Sequence, residues 1–457
     1  MATFVPNDNA RKATNLSFYL IVFGLSIPIW ILFPIYYWSS LGLILTVLLF
    51  WDFTRKCGDT IPIPELMVLL AALQWIIGPY IDYLNDFEHY RYKMYVSEDV
   101  YMTYAVPVVL AFKAGLFYFR NDVKISHLKK SIITLLSVHP SIPYSLVVIG
   151  MIAPFISVLF PPVFTFVFFL LAQVKYIGAL YFILSNHPYR WIIFIGLMIL
   201  SAISSIASGM FHGLLLWSVL TISFVFYELN SSLKTKIIIL VLGGFCIITI
   251  QSVKHQFRTI SPTISGNIAK TTLFLKLAGE EWKHGKIINP TDDSEINVRL
   301  NQGWIISKIM ENVPESEPYA NGKTIAEALK ATFLPRILAP NKKYAGGVEN
   351  FEKYTGLKLG SNTSMGISLA GEGWANFGYY GGILFVFCWG LFISWFWKKL
   401  NVWSSTYPTL LIWTPLLFYQ TVKAETELVV VLNHLIKSTI FVFGLLYCFR
   451  RFRSIRI

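Results

Sequence analysis

Apolar runs long enough to cross a bilayer recur along almost the whole chain, and that recurrence restricts it to an all-α polytopic membrane protein. A spanning helix needs about 17–25 mostly apolar residues, since each residue rises only about 1.5 Å through a hydrocarbon core about 30 Å thick. Runs near that length occupy Phe18–Pro34, Tyr36–Phe53, Ile63–Tyr83, Val100–Phe119, Ile142–Phe160, Val163–Leu184, Trp191–Ser208, Leu214–Leu229, Ile237–Val253, Tyr379–Trp397, Pro408–Val422 and Leu428–Phe449, twelve in all. Composition agrees, because 55% of the 457 residues are hydrophobic and 14% charged, where a soluble domain carries about a quarter charged. Mean hydropathy is +0.57.

Lys and Arg accumulate in cytoplasmic loops, which gives an orientation independent of the span count. With the N terminus inside, the inner loops hold Arg11, Lys12, Arg55, Lys56, Arg120 through Lys130, Arg190, Lys234, Lys236, Lys398, Lys399 and the tail RRFRSIR. The short outer loops hold only Arg91, Lys93 and Lys423. Twelve spans with both termini cytoplasmic satisfy the rule throughout. The net charge of +13 is therefore read as topology and attraction to anionic lipid headgroups, with no nucleic-acid partner. Cys57, Cys246, Cys388 and Cys448 show no C-x-x-C spacing and read as buried thiols, neither a disulfide framework nor a metal site.

The expectation is a single membrane domain, 1–457, in which residues 254–378 form an extracytoplasmic cap between spans nine and ten. A connection that long is usually functional or folded. Within it, Ala269–Lys283 and Gln302–Asn312 have helical apolar spacing, and Thr324–Phe333 opens on Thr324 and Glu327 at capping-box spacing. The other outer loop of note, Asn85–Asp99, is aromatic and charged, as an interfacial helix or a sugar-contacting surface would be.

The chemistry-bearing residues concentrate in the cap. Lys254 and Arg258 share one face if the ninth helix continues past the bilayer, with His255 beside them; interfacial snorkelling is the alternative. Arg299 and Arg336 are further guanidinium groups that would fork onto phosphate oxygens, and Lys342 and Lys343 follow Arg336 closely. Glu372 sits among glycines in GEGWANFGYYGG, close to the next span. Half-desolvated, it would serve as a general base toward a sugar hydroxyl, or else as a structural partner of an arginine. Trp374 and Asn376 stand beside it, Trp374 as part of an aromatic belt or as a stacking surface for sugar. His212 lies at a tight outer turn and is read as a satisfied polar residue before a catalyst. No metal, nucleotide or serine-hydrolase motif occurs, so no cofactor is expected and a lipid-linked donor fits better than a nucleotide sugar.

Arg299 followed by GWIISKIMENVP, Gly322 in YANGKT, the block from Leu334 to Lys342, Thr363 to Gly366, and the run from Glu372 to Gly381 entering a span together resemble the bacterial oligosaccharide repeat-unit polymerases of the Wzy type, in the C-type glycosyltransferase superfamily. The resemblance covers the long loop and its flanking helices. It implies a bacterial inner-membrane enzyme whose site faces the periplasm and moves a growing glycan from undecaprenyl pyrophosphate to the non-reducing end of an incoming lipid-linked repeat unit. It also implies a chain-length regulator and a flippase as partners, no metal, and substrate-binding roles for Arg258, Arg299 and Arg336, with Glu372 as the acidic residue before the tenth span. Two rivals remain open. An O-antigen ligase would carry a histidine base in the long loop, where His255 and His284 lie outside the glycine-rich block. A lipid-linked oligosaccharide flippase would show mid-span ionisable groups and repeat symmetry.

Overall fold

The computed structural model describes residues 8–33, 35–85, 91–119, 122–283, 300–334, 347–360 and 363–453, with side chains described for 17–451 of these. Among the described residues the chain is helical, with isolated bridges only at Cys57, Thr60 and Lys124. Eight helices are long and apolar enough to cross a membrane, and a bent pair makes a ninth. The first ten elements are α1 (Asp8–Leu32), α2 (Tyr37–Lys56), α3 (Ile63–Leu84), α4 (Glu98–Leu116), α5 (Ile125–Val138), α6 (Ile142–Ser157), α7 (Thr165–Ile183), α8 (Arg190–Ser208), α9 (His212–Glu228) and α10 (Leu233–Ile260). The cap contributes α11 (Asn267–Lys283), α12 (Gly303–Asn312), α13 (Lys323–Phe333) and α14 (Val348–Thr355). Then come α15 (Ser368–Trp403) and α16 (Leu428–Arg453).

Apolar runs became helices as expected, with one exception. The stretch Pro408–Val422 contains just two helical turns, Leu410–Trp413 and Thr414–Leu417. Pro415 and the sheltered position explain this, since residues 410–419 are buried inside the protein, where irregular backbone is tolerated at membrane depth. The segment still travels the length of the bundle. The amide of Leu428, first residue of α16, donates to Glu372 near the start of α15, and Trp403, the last residue of α15, packs on Phe443 at 5.2 Å between ring centroids. The two helices are therefore parallel, and residues 404–427 return from one end to the other.

One end of the bundle gathers the basic loops. Lys56 pairs with buried Glu65 at 2.6 Å, and Lys129 and Arg190 both hold Glu228, at 2.7 and 2.8 Å. Lys236 donates to the Cys57 carbonyl. α5 is amphipathic, burying Ile125, Leu128, Ile132 and Leu135, and meets α6 at 93°.

The cap is rooted in the body. α3 widens into a π-helical turn at Leu73–Ile77, which redirects carbonyls from the helix ladder. The carbonyl of Gln74 accepts from the amide of Gln302, and that of Trp75 from the Tyr101 hydroxyl. α12 begins there and buries Trp304, Ile305 and Ile309 with Phe351, Tyr354 and Ile367. The loop before α4 joins this cluster through Tyr92, against Trp304 at 5.0 Å, and its described part, 91–97, is not helical and is half-buried over 91–96. Of the cysteines, Cys57 alone is buried; Cys246, Cys388 and Cys448 face outward from the protein on helices, where lipid replaces the core expected for them.

Candidate functional site

α15 is two helices in one. Gly378 has φ 66° and ψ −154°, and the arm 368–377 doubles back on the arm that follows. A Cβ on Gly373 would lie 3.0 Å from the Cα of Gly382, whereas residues nine apart in an unbroken helix are about 13 Å apart. Glycines at both positions are what let the two backbones touch. Ser368, Glu372 and Asn376 recur every four residues on the folded-back arm, and all three are buried.

That face makes a buried polar network. The Thr324 hydroxyl donates to one oxygen of Glu372 at 2.6 Å, and the Leu428 amide donates to the other at 2.7 Å. Asn376 donates to Thr324 and to the Glu372 carbonyl, both at 2.8 Å, and accepts from the Gly322 amide at 3.0 Å. Glu372 is 1% exposed, so it is fully buried rather than half-desolvated. It sits at the N terminus of α16, where the helix dipole and an orphan amide favour a negative charge. Thr324 is not the cap of α13, as its spacing with Glu327 suggested; Gly322 is the capping residue, and the threonine is turned to Glu372 instead. A second buried carboxylate, Glu427, accepts from Asn350 at 2.8 Å and precedes α16 directly.

Trp374 is tied down as well. Its indole donates to the Val313 carbonyl at 3.1 Å, and its ring meets Tyr104 edge-on at 4.8 Å. These contacts make it a packing residue between cap and body.

Arg258 lies elsewhere, in the last turn of α10. α8 ends on Gly209 in the left-handed conformation, and Arg258 clamps the Gly209 carbonyl with Nε at 3.3 Å and Nη2 at 3.0 Å. Three residues on, His212 Nε2 stands 3.8 Å from a Glu425 carboxylate oxygen. Glu425 is two residues from Lys423, whose ammonium lies 5.3 Å from the Tyr419 ring centroid. Burial pushes Lys423 down to about 8, with Glu425 opposing the shift. Tyr419 also touches Trp217, Phe169 and His434. His434 is 2% exposed, and neither ring nitrogen has a hydrogen-bond partner among the described residues.

The structure thus joins Glu372 and Asn376 in one network, while Arg258 is tied to Gly209, three residues before His212, and His212 faces Glu425, two residues from Lys423. Lys254 lies one turn from Arg258 on α10. Arg299, Arg336, Lys342 and Lys343 fall outside the described residues. Sequence reasoning missed Lys423, Glu425, Glu427 and His434. The signal was present in ionisable groups at the start of and inside a spanning run, which mark a site by default. Among the described residues no group of three or more His, Cys, Asp or Glu is placed to hold a metal. No family model, no curated protein and no solved structure matches the chain.

Proposed function

We propose that the protein is a membrane glycosyltransferase that polymerises undecaprenyl-diphosphate-linked repeat units at the outer face of a bacterial inner membrane. The observation that supports this reading is the ionisable rim of Arg258, His212, Lys423 and Glu425 at the end of an otherwise apolar bundle, next to the buried network of Glu372.

Attack by a sugar hydroxyl on an anomeric carbon forms a C–O bond and breaks the bond to the diphosphate. The electron pair departs with the diphosphate, and the hydroxyl proton needs an acceptor. Arg258 and Lys423, with Lys254, supply cations for the leaving diphosphate. His212 accepts the proton, and Glu425 orients the imidazole and stabilises the cation that forms. Both oxygens of Glu372 are already hydrogen-bonded, so in this scheme it positions α13, α15 and α16 and leaves proton transfer to His212.

The test is extension of a synthetic undecaprenyl-diphosphate-linked repeat unit by the purified protein in detergent, without an energy source. A product ladder is expected, falling about 10²–10⁴-fold in His212→Ala. Absence of any ladder, with transport of the same substrate in proteoliposomes, overturns the reading. In cells, His212→Ala should leave lipid A-core bearing one repeat unit; bare lipid A-core with long lipid-linked chains would instead identify a ligase.

A further inference from the structure

α13 carries two apolar faces, and only one of them is buried. On the first, Ala328, Ala331 and Thr332 are shut away, and the two alanines belong to the same core as the spanning helices. On the second, Ala326, Leu329 and Phe333 recur at spacings of three and four and are exposed, Phe333 at 61%.

The depth of this helix is set by α16. The Thr324 hydroxyl and the Leu428 amide donate to the two oxygens of one carboxylate, Glu372, so the first turn of α13 stands beside the first residue of α16. From there α13 packs along α16. α16 has no residue before Leu428 to pack on, so the two helices must run in the same direction from a shared level. α16 is long and apolar enough to cross the membrane, and Arg450, Arg451 and Arg453 lie at its far end. Phe333 comes nine residues after Thr324, about 14 Å along the helix axis, which is about half of the hydrocarbon thickness.

We infer that α13 is a re-entrant helix, which enters the membrane at the Leu428 end of α16, stops about half-way and presents Leu329 and Phe333 to the acyl chains of that leaflet. Its polar groups suit that placement. The Thr332 hydroxyl donates to the Ala328 carbonyl at 2.8 Å, within the helix itself. Lys323 lies in the first turn, at the surface. Lys330 is exposed, and because helical side chains tilt toward the N terminus its ammonium can reach back to the headgroups. Glu327, the one acid of the helix, is half-buried, and its charge adds to burial in raising the Tyr354 phenol of the cap. Glu372 then pins the outer end of an inserted helix to α16, whatever reaction the protein performs.

The full-length chain, with Cys57, Cys246, Cys388 and Cys448 replaced by serine or alanine, receives a nitroxide at Lys323→Cys, Leu329→Cys or Phe333→Cys. Leu200→Cys, exposed on α8, is the lipid reference, and Glu315→Cys, exposed in the cap, is the water reference. In liposomes of phosphatidylethanolamine and phosphatidylglycerol, power-saturation resonance compares collisions with oxygen, which concentrates in hydrocarbon, and with a nickel chelate, which stays in water. The oxygen-to-nickel ratio is expected to rise from 323 to 329 to 333, to match residue 200 at 333, and there to exceed residue 315 about threefold or more. A ratio at 333 equal to that at 315 would put the helix in water, and protection of 333 from both reagents would put protein over it; either result overturns the insertion. Phe333→p-benzoylphenylalanine in the otherwise unchanged chain reads the same surface with every cysteine in place. Photolysis should give lipid adducts at 333 and none at Glu315→p-benzoylphenylalanine, and their absence at 333 overturns the insertion as well.

Discussion

At the residue scale the two groups that matter most are both largely buried and carry opposite charges. Glu372 is a buried carboxylate with its oxygens engaged by Thr324 and by the first amide of α16. Thr324→Val removes one donor and leaves a buried oxygen short of a partner, a loss of about 1–3 kcal/mol. Glu372→Ala also strands the Leu428 amide and the Thr324 hydroxyl, and should lower the thermal midpoint in detergent further than Thr324→Val. Equal midpoints for wild type and both variants would show that the network contributes no stability. Lys423 is a cation held down to about 8 by burial. Its ammonium is favoured below that value, so diphosphate binding should weaken as pH rises from 7 to 9 and should lose most of that dependence in Lys423→Arg, whose guanidinium stays charged. The stability sign is the reverse: with its folded value depressed, Lys423 adds most stability above its unfolded value near 10.4 and loses it as pH falls through about 8. Binding of undecaprenyl diphosphate measured at several pH values, with both proteins, checks the first statement; a wild-type curve that stays flat would remove Lys423 from the site.

At the element scale the decisive feature is the reversal at Gly378. Its φ of 66° with ψ of −154° belongs to a region essentially reserved for glycine, and a Cβ there would come within 2.9 Å of the Tyr319 hydroxyl. Gly378→Ala is expected to destabilise by about 3 kcal/mol, the sum of backbone strain and that contact. Pairing it with Tyr319→Ala removes the hydroxyl and the ring carbons at 3.2 and 3.3 Å, so, measured against Tyr319→Ala alone, the remaining cost of Gly378→Ala is the backbone strain, and no remaining cost would deny the backbone any strain. The sequence made the glycine-rich block visible as a place of close approach but carried nothing about its dihedral angles, so the arm 368–377 could not be read as folded back. Thr324 shows the same gap from the other side, because its local spacing with Glu327 satisfied a capping rule while a partner 48 residues away claimed the hydroxyl. Helix positions, by contrast, were legible: α11 and α12 begin within two residues of the expected starts and end where expected, since their apolar spacing is local information.

At the scale of the whole molecule, hydropathy counts apolar residues without distinguishing lipid from protein as their surroundings. Residues 410–419 read as a span because they are apolar, and they are apolar because α7, α15 and α16 enclose them. The path of the chain through this region follows from the helices on either side of it. α15 and α16 run parallel, so 404–427 must traverse the same depth in the opposite direction, and the number of passages on either side of it keeps both basic ends of these helices together. This makes a sharp expectation for sidedness. Starting from a chain in which Cys57, Cys246, Cys388 and Cys448 are replaced by serine or alanine, Thr363→Cys and Ser405→Cys each introduce one exposed thiol, before α15 and after it. In intact spheroplasts an impermeant maleimide should modify residue 363 and spare residue 405, which should react only after the membrane is opened. Modification of both from outside would mean that α15 does not cross, and modification of 405 alone would invert the molecule, carrying Arg258 and Lys423 to the cytoplasmic face and overturning the proposed function.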